Sequence, residues 1–367
     1  MKTNINSLIP GVLIHPGEYL LDELEAKKIS QKDFALMIGM QTSQLNEIIN
    51  GKRAFNAETA LLFEEALDIT AEYWMNIQKN YELNLAKINR RNHERLEAIQ
   101  LWNMAQSSLP VAFLKKQKII TGDPISDIPM VKDIYGIQNF DQLANLYSNN
   151  VYARFRKSQK LDMDKINMIG WVKLFEFKAK QEIVNAFDHN QFDNLLSELK
   201  VILSKNKKVK EKAKDALKSY GIKLIYQEKA EKTPIDGVSL WSEGNPAIGM
   251  SLRFNRIDNF AFTLFHELGH VLLHLTNDNT AEFIDLEHES EAYKNSKEEK
   301  EADRFAQSKL ISDDLWNDFF NPPYYFSDTK VKEFAKKAKI HPAVVRGRIC
   351  HETGNFAVRT KIKYDIN

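Results

Sequence analysis

Apolar positions recur three and four residues apart from the first part of the chain, at Tyr19, Leu20, Leu21 and Leu24, behind a Pro16 that can open a helix at its first position. Lys27 and Lys28 close that segment. Ser30 is placed to cap a second short helix through Phe34, Ala35 and Ile38, ended by Gly39. Gln41 or Thr42 begins a third, carrying Leu45, Ile48 and Ile49 and stopping at Asn50-Gly51. A fourth runs from Asn56 to Leu67, and a fifth follows Thr70 through Trp74, Ile77 and Tyr81. From 85 to 203 the pattern stays helical, with amphipathic stretches at Arg90 to Met104, Phe140 to Tyr147 and Ile166 to Phe187. Gly122-Asp123-Pro124 and the segment from Ser126 to Pro129 interrupt it.

The period changes after Gly221. Ile222 to Tyr226, Gly237 to Trp241 and Ala247 to Leu252 read as strands, the last two joined through the turn residues Ser242 to Pro246. A nearly all-apolar helical run follows at 259–274, then an acidic helix around Lys297 to Ala306, and a helical pair from Phe334 to His351 that reads as packing. The expected fold is α+β and mostly α. Its parts are a five-helix N-terminal domain (1–83), a helical middle (84–203) and a C-terminal domain (204–367) with a small antiparallel sheet.

A chain of 367 residues with 43% hydrophobic and 28% charged side chains has the composition of an ordinary globular protein with room for two or three domains. The formal charge of +1 gives no global field toward nucleic acid or membrane, so such a signal has to be local. A single cysteine, Cys350, excludes an internal disulfide. With no basic-then-apolar leader and no apolar run long enough to span a bilayer, the expected location is the cytoplasm.

Candidate chemistry concentrates in the apolar run, which contains HExxH. Positions four apart lie only about 40° apart on a helix, so His266 and His270 project from one face and can share a metal ion. Glu267 is the expected general base. A catalytic zinc with two histidines takes a third ligand from elsewhere and keeps one position open. ExxAD supplies it: Glu299 is the expected ligand, and Asp303, one turn on, can accept the second ring N–H of a ligating histidine. Two imidazoles and one carboxylate favour Zn2+ over manganese or iron. His274, about 12 Å along the axis from His266, is too far to bind the same ion. For the oxyanion, Tyr324, Tyr325, His341 and His351 are candidates.

The short helices separated by Gly39 have the form of a helix-turn-helix unit. Its third helix offers Gln41, Thr42, Ser43, Gln44 and Glu47 to base edges, and Lys52 and Arg53 follow for phosphates. Operator DNA is the expected partner, bound by a homodimer. The module carries more acidic than basic residues, which weakens the electrostatic part of that binding. Tyr152, Arg154, Phe155 and Arg156 mix aromatic and basic side chains and read as a helix that snorkels its arginines.

Two resemblances add to this. The stretch from Pro10 to Leu83, with GVLIHPGEYLLDEL, LNEIINGKRAFNAETALLFEEAL and YWMNIQKNYEL, resembles the helix-turn-helix antitoxins of the HigA type. That implies dimeric operator binding, autoregulation and a toxin partner. The stretch from Gly221 to Glu352, with FHELGHVLLH, FIDLE, EKEADRFAQSKLI and IHPAVVRGRICHE, resembles the ImmA/IrrE metallopeptidases. That implies a gluzincin-like, zincin-fold endopeptidase whose protein substrate is a repressor, a toxin-like partner or the chain itself. The family's metal positions fall on His266, His270 and Glu299 and its catalytic glutamate on Glu267. The other reading is a non-proteolytic antitoxin or repressor whose metal domain senses a ligand or binds a toxin.

Overall fold

A computed structural model describes residues 13–148, 164–251, 254–286, 296–321 and 326–367. The arginine-rich segment at Tyr152 to Arg156 and the tyrosines Tyr324 and Tyr325 lie outside these. The chain divides into two compact units, Met1–Leu101 and Trp102–Asn367.

In the first unit most helices start where a side chain accepts an orphan backbone N–H. His15 accepts from Gly17 and opens α1 (Pro16–Ala26). Ser30 accepts from Asp33 and opens α2 (Gln31–Met37). Gly39, at φ 66°, makes the left-handed turn into α3 (Thr42–Ile49), which has no side-chain cap. Asn56 caps α4 (Ala57–Leu67) and Thr70 caps α5 (Ala71–Ile88). The α2–α3 pair is the helix-turn-helix. Leu20, Leu24, Phe34, Leu45, Ile48, Phe63 and Trp74 form its core, with Phe55, Phe63 and Trp74 meeting edge to face.

α6 (Arg90–Ala105) spans the division between the units and is followed by α7 (Val111–Lys116), α8 (Pro124–Tyr135) and α9 (Gln142–Ser148). Buried Asp127 accepts from the Thr121 and Gly122 amides and so holds the turn that leads into α8. α10 (Lys165–Gln181), α11 (Phe192–Lys205) and α12 (Val209–Ser219) precede the sheet.

The sheet is four-stranded: β1 (Lys223–Tyr226), β2 (Ile235–Ser242), β3 (Asn245–Met250) and β4 (Glu282–Leu286), in the order β1-β3-β2-β4. It is mixed, where an antiparallel sheet was expected. β2 reverses the chain and the β2–β3 hairpin reverses it again, so β3 returns beside β1 in the same direction and pairs with it parallel. Alternation along β2 separates two faces. A Cβ on Gly249 would meet Phe175 of α10 and Val238, whereas Gly237 faces α13 (Ile257–His270). Behind α13 lie α14 (Lys297–Leu310), α15 (Asp313–Phe319), α16 (Asp328–Ala338) and α17 (Pro342–Thr353). α17 packs against α13. Buried Arg346 donates to Asp328 and to the Phe326 carbonyl, pinning α16 to α17. Among the described residues no helix is long and apolar enough to cross a membrane.

Candidate metal centre and helix-turn-helix surface

α13 is apolar on most of its circumference, and Phe260, Ala261, Leu264, Phe265 and Leu268 bury it in the core of the second unit. Asp258, paired with Arg256 near its start, and the three polar side chains of HExxH go in with it. His266 is 3% exposed, Glu267 0% and His270 1%. Burying such groups costs free energy unless something compensates their desolvation.

The compensation comes from α14. Ser296 caps this helix by accepting from the Glu299 amide, which puts Glu299 in the first turn, where the helix dipole favours an anion. Gly269 lets the two helices touch: a Cβ there would lie 3.1 Å from Ala302 Cα. Glu299 then reaches both histidines. The Nε2 atoms of His266 and His270 are 3.0 Å apart; Glu299 Oε2 lies 3.2 Å from the first and Glu299 Oε1 3.3 Å from the second.

A tetrahedral ion with bonds of about 2.0–2.1 Å has ligand-to-ligand edges of about 3.3 Å. Each carboxylate oxygen meets one histidine at about that separation, so the donor set is compact enough to close on such an ion. Within the described residues this is the one His/Cys/Asp/Glu group gathered for metal binding. Burial is the main cause that lowers His270 to about 4, keeping its ring neutral as a ligand must be. Burial also opposes the charge on Glu299, but the hydrogen bonds from His266 and His270 outweigh it and hold the carboxyl well below the usual range.

Asp303 Oδ1 is 2.9 Å from His266 Nδ1, the ring nitrogen turned away from the cluster. Glu267 lies against β2, so closely that a Cβ on Gly237 would sit 2.1 Å from its Oε1. Of the oxyanion candidates, His341 is occupied as the N-cap of α17 and His351 is exposed in that helix's last turn.

Sequence reasoning passed over four residues near the cluster. His274 lies too far along the helix to be a ligand with His266, yet it contacts His270 Nδ1 at 3.1 Å and Glu301 at 3.2 Å. Phe283 of β4 stacks on His270 with ring centroids 4.4 Å apart, and Gly237 abuts Glu267. The β2–β3 hairpin is interior: β2 pairs with β3 and β4, and β3 with β1 and β2. Of the two edge strands, β4 is the one beside the cluster.

On α3, Gln41, Thr42, Ser43 and Glu47 are exposed and Gln44 is half-buried. Lys52 and Arg53 are exposed just beyond, their amides both bonded to the Glu47 carbonyl. Glu47 and Arg53 are also paired side chain to side chain at 2.9 Å. The seven residues therefore form one surface, with Glu47 and Arg53 tied to each other across it.

Fold and side-chain geometry define a class: a helix-turn-helix regulator joined to an α+β domain that gathers two histidines and a glutamate. Residues 20–74 match the helix-turn-helix family, and residues 217–349 match the IrrE N-terminal-like domain. Virulence-associated protein I of Dichelobacter nodosus is 32% identical over 80 residues, which is 22% of this chain and 74% of that protein. An addiction module antidote protein of the HigA family from Coxiella burnetii is 32% identical, with a TM-score of 0.22, over 23% of this chain and 91% of that one. The Pseudomonas aeruginosa antitoxin HigA, solved with the higBA promoter, is 34% identical, with a TM-score of 0.20, over 21% and 84%. The chain belongs to the helix-turn-helix family through its N-terminal module and carries an IrrE N-terminal-like domain toward its C-terminus.

Proposed function

We propose that this is an operator-binding regulator of the cytoplasm whose C-terminal domain is a zinc-dependent endopeptidase. The observation that carries the enzymatic half is the buried cluster in which His266 and His270 Nε2 lie 3.0 Å apart and each meets one Glu299 carboxylate oxygen at 3.2–3.3 Å, beside fully buried Glu267. Zinc bound by these three would supply Lewis acidity, polarising a scissile carbonyl and easing deprotonation of water. Glu267 takes that proton and passes it to the leaving amine. Asp303 accepts the Nδ1–H of His266 and so keeps its Nε2 lone pair directed into the cluster. An extended substrate adds to the outer edge of β4, where backbone hydrogen bonds give affinity. The substrate is a regulatory protein: a repressor, a toxin-like partner or another part of this chain.

The N-terminal half reads DNA as a homodimer, with Gln41, Thr42, Ser43, Gln44 and Glu47 toward bases and Lys52 and Arg53 toward phosphates. A mobility shift on the chain's own promoter tests it. Gln44→Ala and Arg53→Ala each weaken binding, and parent-like affinity in both removes the assignment.

The enzymatic reading is tested by comparing new protein N-termini in host cells that express the parent or Glu267→Gln. Termini present only with the parent establish proteolysis and name the substrate. Matching profiles, with zinc lost in Glu299→Ala, make the centre sensory or toxin-binding instead.

A further inference from the structure

His270 turns Nε2 into the cluster, which leaves Nδ1 pointing along α13, 3.1 Å from Nδ1 of His274. Two ring nitrogens at that distance share one hydrogen, so one donates and the other accepts. If His270 gives its Nε2 lone pair to a metal, its hydrogen is on Nδ1 and it is the donor. Nδ1 of His274 then accepts, and a neutral His274 carries its own hydrogen on Nε2. That nitrogen faces Glu301 Oε2 at 3.2 Å. A single assignment of hydrogens satisfies every contact from the cluster to the carboxylate.

We infer that His274 and Glu301 are positioning residues for the metal centre, orienting His270 through this two-step chain as Asp303 orients His266 directly. The inference rests on the reading of His266, His270 and Glu299 as ligands. Three further features hold the chain in place. After His270 the helix widens into a π turn over Val271–Leu275, with Thr276 N donating to Val271 O at 3.2 Å, a distortion that concentrates at functional sites. Phe283 covers both rings, its centroid 4.4 Å from His270 and 5.1 Å from His274. His274 is only 10% exposed, whereas Glu301, at 43%, sits at the outer end where a carboxylate stays hydrated. α14 thus anchors the centre three times, through Glu299, Asp303 and Glu301.

The test is zinc affinity of the full chain, measured by competition with a chromogenic chelator and accompanied by the visible spectrum of the cobalt-substituted protein. His274→Phe keeps the ring contact with Phe283 but neither hydrogen bond, and zinc binding is expected to weaken about 10–100-fold. His274→Gln, whose amide can both accept and donate, recovers part of that loss. Glu301→Ala, at a partly exposed helix position that the fold tolerates, weakens zinc about 10-fold and shifts the cobalt bands. Parent-like affinity and an unchanged cobalt spectrum in Glu301→Ala overturn the proposal, even if His274→Phe fails to fold. Failure of the underlying reading looks different: Glu299→Ala then binds zinc as the parent does, or the parent binds none.

Discussion

Gly237 sits in an interior strand with no turn to make, and its lack of a side chain matters because of what lies opposite. A Cβ there would meet Glu267 at its Oε1, Cδ and Cγ, at 2.1, 2.8 and 2.9 Å. Glu267 is fully buried and has little room to give way. Gly237→Ala is therefore expected to displace Glu267, the proposed general base, and leave His266, His270 and Glu299 in place. Turnover on the substrate named by the N-terminal survey should fall at least about 100-fold, the scale of general-base catalysis, with zinc content unchanged. Parent-like turnover would separate Glu267 from the chemistry. The contrast with His266 and His270 shows what a sequence can convey about a site. Their four-residue spacing is local, and an apolar helix around it marks it as buried. Glu299 and Asp303 were legible because they share one turn of a second helix. Gly237 and Phe283 owe their roles to strands folded onto α13, a juxtaposition that no local pattern encodes. His274 was excluded as a ligand by distance, an argument that leaves its contact with His270 open.

Most helix starts in the first unit were legible because they depend on a cap a few residues away, α3 having no side-chain cap. Ser30, Asn56 and Thr70 accept the amides expected of them. Packing between helices is less so, and α1 illustrates it. Gly17 lies where a Cβ would approach the carbonyl oxygens of Ile49 and Ile48 at 2.3 and 2.5 Å. These are backbone atoms at the end of α3, so the helices themselves must separate. Gly17→Ala is expected to destabilise this unit by about 1–3 kcal/mol, read as a lower denaturant midpoint, and to weaken DNA binding by shifting α3. An unchanged midpoint would mean that α1 moves without cost. The sheet was the least legible part. Neither the parallel β1–β3 pair nor the outer place of β4 follows from strand propensity, because partner choice depends on residues far along the chain. The α16–α17 pair carries a pH-dependent clasp. Asp328 accepts from the Lys361 amide, from Thr360 and from Arg346, and these contacts hold its carboxyl below the usual aspartate range. A depressed carboxylate contributes stability above its unfolded pKa and loses it as pH falls through the folded value. Asp328→Asn should lower stability at neutral pH and flatten the acid limb of the unfolding curve. An unaltered acid limb assigns that pH dependence to other groups.

At the scale of the whole molecule, the two compact units divide the chemistry: the helix-turn-helix lies in Met1–Leu101 and the His/His/Glu cluster in Trp102–Asn367. A ligand that binds only the folded form stabilises the unit that holds it, by about 2.7 kcal/mol at a hundredfold excess over Kd. For zinc, the stabilised elements should be those that supply donors, α13 and α14, together with β2 and β4 packed against them. Hydrogen exchange resolves this by segment, since amides that open through local unfolding slow in proportion to the added stability. Adding zinc to chelator-treated protein is therefore expected to slow exchange about 100-fold across α13 and α14 and to leave α1 to α5 unchanged. Glu299→Ala should abolish the response. Equal slowing in both units would require the centre to be coupled energetically to the DNA-reading module, and would make metal occupancy a signal that the helix-turn-helix receives. Slowing confined to the second unit makes metal loading and operator binding separate events.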